Sequence, residues 1–88
     1  MGKDEDWVFA VCQNLLGYKD KPFDQEIQTM CLAHCRNIIS RAITDPGAIP
    51  RKVAESVEKA EHCFQAGFPE EGFDDLRDAL TLLSKWRD

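Results

Sequence analysis

The sequence predicts an all-α fold: a compact four-helix bundle with antiparallel neighbours and short loops. Three observations predict it. Apolar residues recur at helical spacing along most of the chain, and no stretch alternates as a strand would. Turn residues interrupt that pattern at Gly17 to Pro22, at Asp45-Pro46-Gly47 and at Gly67 to Pro69. The connections so defined are short, which makes sequential helices antiparallel neighbours. With 88 residues the expected organisation is a single helical domain, 1–88, with a modest core.

The first helix is expected over 4–16. Asp4, Glu5 and Asp6 suit its start, where acids meet the positive end of the helix dipole. Trp7, Val8, Val11, Cys12, Leu15 and Leu16 make its apolar face, and Gly17 stops it. The second helix is expected over 23–44, with Pro22 fitting its first turn. Ile27, Met30, Cys31, His34, Ile38 and Ala42 form one stripe along it. Leu32, Cys35, Ile39 and Ile43 form a second stripe beside the first. A helix this widely apolar is either central in the bundle or covered by a partner chain.

Asp45-Pro46-Gly47 reads as a turn, since Pro presets φ and Gly tolerates a positive φ after it. The third helix is expected over 50–66, with Val53, Ala54, Val57, Ala60, Glu61 and Phe64 along one side and Gly67 as its stop. The fourth is expected over 69–86, with Phe73, Leu76, Ala79, Leu80, Leu83 and Trp86 as its apolar residues. Glu70, Glu71, Asp74 and Asp75 load its first turns with charge that the dipole favours. Within 60–80, the series Ala60, Cys63, Phe64, Gly67, Gly72, Leu76, Ala79 and Leu80 resembles the turn and second helix of a tetratricopeptide repeat. The preceding helix lacks that family's Trp and Leu-Gly, and the chain holds one such unit. The resemblance implies a helical hairpin over this stretch.

Composition excludes several functions. Hydrophobic residues at 43% with 31% charged residues describe a folded chain rather than a disordered one. A net charge of -5 argues against non-specific nucleic-acid binding and against docking on anionic lipid. The apolar run from Trp7 to Cys12 is too short to span a bilayer. The start of the chain is acidic and has no apolar segment of a signal peptide, so a cytoplasmic location with reduced cysteines is expected. No Ser-His-Asp set, phosphate loop or dinucleotide turn is present, and no enzyme is expected. Lys59 stands where a Glu-x-x-His metal motif ending at His62 would need its Glu.

Two sets of residues remain as candidate sites. Cys31, His34 and Cys35 fall within five residues on one helix, where positions i, i+3 and i+4 share a face. Cys63, or His62 beside it, completes four ligands if the second and third helices are neighbours. Zinc accepts thiolate and imidazole in tetrahedral array, and copper(I) is selected by soft thiolates. Cysteine is also among the most buried residue types, so packing in the core is the simpler expectation for this cluster, with no cofactor. The second set, expected to bind a partner, comprises Phe9, Leu32, Ile39 and Ile43 with the acids Glu70, Glu71, Asp74 and Asp75.

Trp7, Phe9, Tyr18, Phe23 and Phe68 exceed what the helix cores require, and aromatics are enriched in interface cores. With the double stripe of the second helix, they point to a homodimer. The acidic face suits a basic partner or mimicry of nucleic acid toward a DNA-binding protein, and Arg36, Arg41, Arg51 and Lys52 gather near the second interhelical loop. The leading expectation is a small intracellular module for protein–protein interaction or regulation, such as an accessory or inhibitory protein. The alternative is a Cys/His metal-binding or thiol-sensing bundle.

Overall fold

The computed structural model describes residues 4–87, with side chains described to Lys85. Four helices are present among them: α1 (Asp4–Leu16), α2 (Gln25–Thr44), α3 (Arg51–Ala66) and α4 (Pro69–Arg87). They form an all-α globule with a radius of gyration of 12.0 Å. No helix among the described residues is long and apolar enough to cross a membrane.

Packing follows a ring. α3 lies most closely on α4, α2 packs on α3, α1 packs on α4, and α1 touches α2 only slightly. The α3–α4 pair is the helical hairpin that the repeat-like spacing implies. Gln28, in the first turns of α2, donates from Nε2 to the Phe64 carbonyl near the end of α3 at 2.8 Å. At the other end of α2, Arg41 pairs with Asp4 at the start of α1 at 3.0 Å. Start meets end in both contacts.

The core draws one stripe from each helix. Val8, Cys12 and Leu15 come from α1; Cys31, Cys35 and Ile38 from α2; Val53, Val57, Ala60 and Phe64 from α3; Phe73, Leu76, Ala79 and Leu83 from α4. Trp86, expected on the α4 face, lies outside the described side chains. Two α1 residues depart from expectation. Trp7 is 38% exposed, because the buried stripe runs through positions 5, 8, 12 and 15 and leaves it to the side. Glu5, expected only as an acid that suits the helix start, is buried, and its Oε2 has no hydrogen-bond partner among the described residues. A buried carboxylate oxygen without a partner costs stability.

Helix limits follow local chemistry. α2 begins at Gln25 rather than 23, since Asp24 is its N-cap and accepts from the Ile27 N–H at 2.9 Å. Phe23 therefore sits outside the helix and stacks on Phe64 with ring centroids 5.8 Å apart. α3 begins at Arg51, after Pro50. In the α2–α3 loop the Ala48 N–H donates to the Asp45 carbonyl at 3.0 Å, which closes the expected turn. Gly47 does not use a positive φ there; among the described residues Gly67 alone does, at 88°. Ala48 and Ile49 then fold back into the core.

Gly72 is buried in α4 because the Phe64 ring occupies the space a side chain would need. A Cβ built there would lie 2.6 Å from Phe64 Cε1. The ring cannot yield easily, as Phe23 lies against it on one side and Phe73 meets it edge-on at 5.1 Å. Gly72→Ala is therefore expected to lower the melting temperature. Overpacking costs about 1–3 kcal/mol, against a gain of at most about 1 kcal/mol from replacing a helical Gly. Differential scanning calorimetry of the two proteins measures the sign.

Candidate functional site

α2 is not central: α3 covers one side, α1 brushes it, and α4 is not a neighbour. Its second apolar stripe is consequently covered only in part. Cys35 is fully buried, and Leu32 and Ile39 are half-buried against the core. Ile43 is 73% exposed.

Ile39 and Ile43 line two adjoining concavities, each of about 350 Å³. The first runs along α2 past Ser40 and Thr44, with Arg36 and Glu61 as its wall. Those two residues pair at 3.0 Å and tie α2 to α3 across the wall. The second lies between the end of α2 and the start of α3. Ala42, Pro46, Ile49 and Ala54 complete its apolar lining, and Arg51, Glu55 and Glu58 stand around it. Pro46 and Ile49 belong to the loop, and no helical period marks them in the sequence. Ile49, placed between Gly47 and Pro50, reads there as loop.

Of the residues expected to bind a partner, Ile39 and Ile43 come together on this face. Phe9 and Leu32 pack against the core with part of their surface exposed. Glu70, Glu71 and Asp74 are exposed at the start of α4, at the other end of the α2–α3 pair. Asp75 is half-buried and its Oδ2 accepts a hydrogen bond from Cys63 Sγ at 3.6 Å.

The cysteines take different places. All four are free thiols. Cys31 and Cys35 are fully buried, and Cys12 of α1 joins them in the core as a third buried thiol, which the clustering of Cys31, His34 and Cys35 gave no reason to include. His34 is half-buried, and His62 is exposed with Nδ1 4.0 Å from Glu61 Oε1. Cys63 lies apart, turned to Asp75 on α4. The structure does not bring Cys31, His34, Cys35 and Cys63 together as a ligand set: among the described residues no group of three or more His, Cys, Asp or Glu side chains could hold a metal ion. Partial burial, the hydrogen bond to Asp75 and the charges of Asp75 and Glu71 all raise the Cys63 thiol. Reactive cysteines occupy electropositive surroundings, and those of Cys63 are electronegative.

Burial pushes the Cys12 thiol up to about 12 and that of Cys31 up to about 11. Burial raises Cys35 most, the neighbouring Cys12, Cys31 and Glu61 add to it, and Arg36 opposes. The consequence for stability has a definite sign. Below the ordinary thiol value of 9.0 both folded and unfolded chains hold these protons, and the stabilisation is complete. Above it the unfolded chain releases protons that the folded chain keeps, so stability falls as pH rises toward the folded values. Each thiol contributes a slope of up to about 1.4 kcal/mol per pH unit. Urea unfolding across this alkaline range should show the fall, and Cys12→Ala should make it shallower by about one such slope.

Comparison with known proteins returns no match: no family model, no curated protein and no solved structure matches the chain.

Proposed function

We propose that the protein is a small helical binding module, without a reaction of its own, that engages another protein through the Ile39–Ile43 face of α2. The exposed position of Ile43 between two concavities carries this reading. A single exposed apolar residue on a surface is ordinary. Here it stands with the half-buried Ile39, with Ala42 and Ala54, and with a margin of Arg36, Arg51, Glu55, Glu58 and Glu61. An apolar centre inside a charged margin is the anatomy of a protein–protein interface.

The width of the apolar surface on α2 has two explanations, a central place in the bundle or a partner. The lateral position of α2 supports the second. The free thiols suit a reducing compartment, and the proposal places the protein in the cytoplasm.

The test compares wild type and Ile43→Asp as immobilised baits in extracts of the source cells, read by quantitative mass spectrometry. A defined protein retained by wild type and lost with Ile43→Asp is the expected result. Equal recovery of every protein by the two baits overturns the proposal.

A further inference from the structure

The two ends of the α3–α4 hairpin carry opposite charge, and each offers what the other would bind. At the end where α3 starts and α4 finishes lies a concavity of about 410 Å³, lined by Pro50, Val53 and Leu82 and by the cations Arg51, Lys52 and Lys85. Arg51 is shared with Glu55 at 3.5 Å. Lys52 and Lys85 have no ion-pair partner among the described residues. In a chain of net charge -5 this is a local excess of positive charge over an apolar floor.

At the opposite end, Phe68 projects from the α3–α4 turn with 58% of its surface exposed, and Glu70 and Glu71 follow it. Its backbone is held on both sides. The Phe68 N–H donates to the Cys63 carbonyl at 2.8 Å and the Gly67 N–H to the Phe64 carbonyl at 3.3 Å, the double bond of a Schellman motif. Pro69 starts α4 at once, and the Gly72 N–H returns to the Phe68 carbonyl at 3.1 Å. The exposed aromatic is thus presented on a pre-ordered turn, which reduces the ordering cost of binding.

We propose that a second copy of this chain is the occupant of the basic concavity, inserting the Phe68 tip against the half-buried Pro50 and Leu82 while Glu70 and Glu71 meet Lys52 and Lys85. Charge complementarity selects this occupant: the tip joins an aromatic to two acids, and the concavity joins an apolar floor to two lysines without an ion-pair partner among the described residues. Within one chain the two cannot meet, because α3, at 16 residues, separates them by about 24 Å. This surface shares only Arg51 with the Ile39–Ile43 face, and the variants below leave Arg51 in place; Ile43→Asp therefore leaves the self-association intact, and either proposal can fail without the other.

The test is sedimentation equilibrium of the full chain at low and high salt, with two charge-reversed variants. One carries Lys52→Glu and Lys85→Glu; the other carries Glu70→Lys and Glu71→Lys. Wild type should self-associate, and more weakly at high salt. Each variant alone pairs like charges, and its dissociation constant should rise about tenfold or more. An equimolar mixture of the two should recover association, because each then offers the complement of the other. Phe68→Ala, which leaves every charge in place, should weaken association as well. Circular dichroism checks that each variant retains its helices. A monomeric wild type, variants that associate like wild type, or a mixture that stays monomeric would each overturn the proposal.

Discussion

Phe64→Ala should remove about 3–5 kcal/mol of folding stability, the range for deleting a buried Phe side chain. The whole chain has about 4–13 kcal/mol to lose at its length of 88 residues, so the variant will sit near or beyond the limit of folding. Phe64 is fully buried and forms the meeting point of three elements. Its ring stacks on Phe23 from the α1–α2 loop, meets Phe73 edge-on and fills the space over Gly72 of α4. Its carbonyl accepts from Gln28 of α2 and from the Gly67 N–H in the turn. Removal of the ring leaves a cavity that Gly72, without a side chain, cannot refill. Urea unfolding followed by circular dichroism measures the loss. Less than about 1 kcal/mol would mean that the aromatic group does not organise the core as described.

Ile43→Asp should separate binding from folding. Its side chain is 73% exposed, so the change should move stability by no more than about 0.5 kcal/mol. At the centre of an interface the same change buries an unpaired charge. It should cost at least about 2 kcal/mol of binding, or about 30-fold in the dissociation constant. Thermal melting gives the first number, and titration calorimetry with the recovered partner gives the second. The dissociation between the two effects distinguishes an interface residue from a structural one.

The helical fold and its core were legible because helical periodicity is a local signal. Val8, Cys12, Leu15, Val53, Val57, Phe64, Leu76 and Leu83 all stand on the stripes that the spacing marks, and all are buried. Helix starts were less legible, since Pro22 and Asp24 are both good start residues; the Asp24 carboxylate, accepting from Ile27, decides the position of α2. Ala48 and Ile49 were missed because burial of a loop depends on how two helices close around it. The same limit applies to Glu5, whose burial no pattern of acids announces.

At the candidate site the spacing marks Ile39 and Ile43 as apolar, yet it cannot say which neighbours cover a stripe. Only the ring of contacts, with α2 at the side, leaves Ile43 outside. The cysteines illustrate the same point in reverse. Cys31 and Cys35 are close in sequence and buried as their stripes require, but register between helices puts Cys12 beside them and turns Cys63 toward Asp75.

The most direct measurement places a photoreactive amino acid at position 43 of the full chain in its source cells, with position 78 on α4, which does not neighbour α2, as an exposed control outside the proposed face. Irradiation should join position 43 to one defined protein, and position 78 should give no such product. Identical patterns from the two positions, or no product from either, would contradict a binding face at the end of α2.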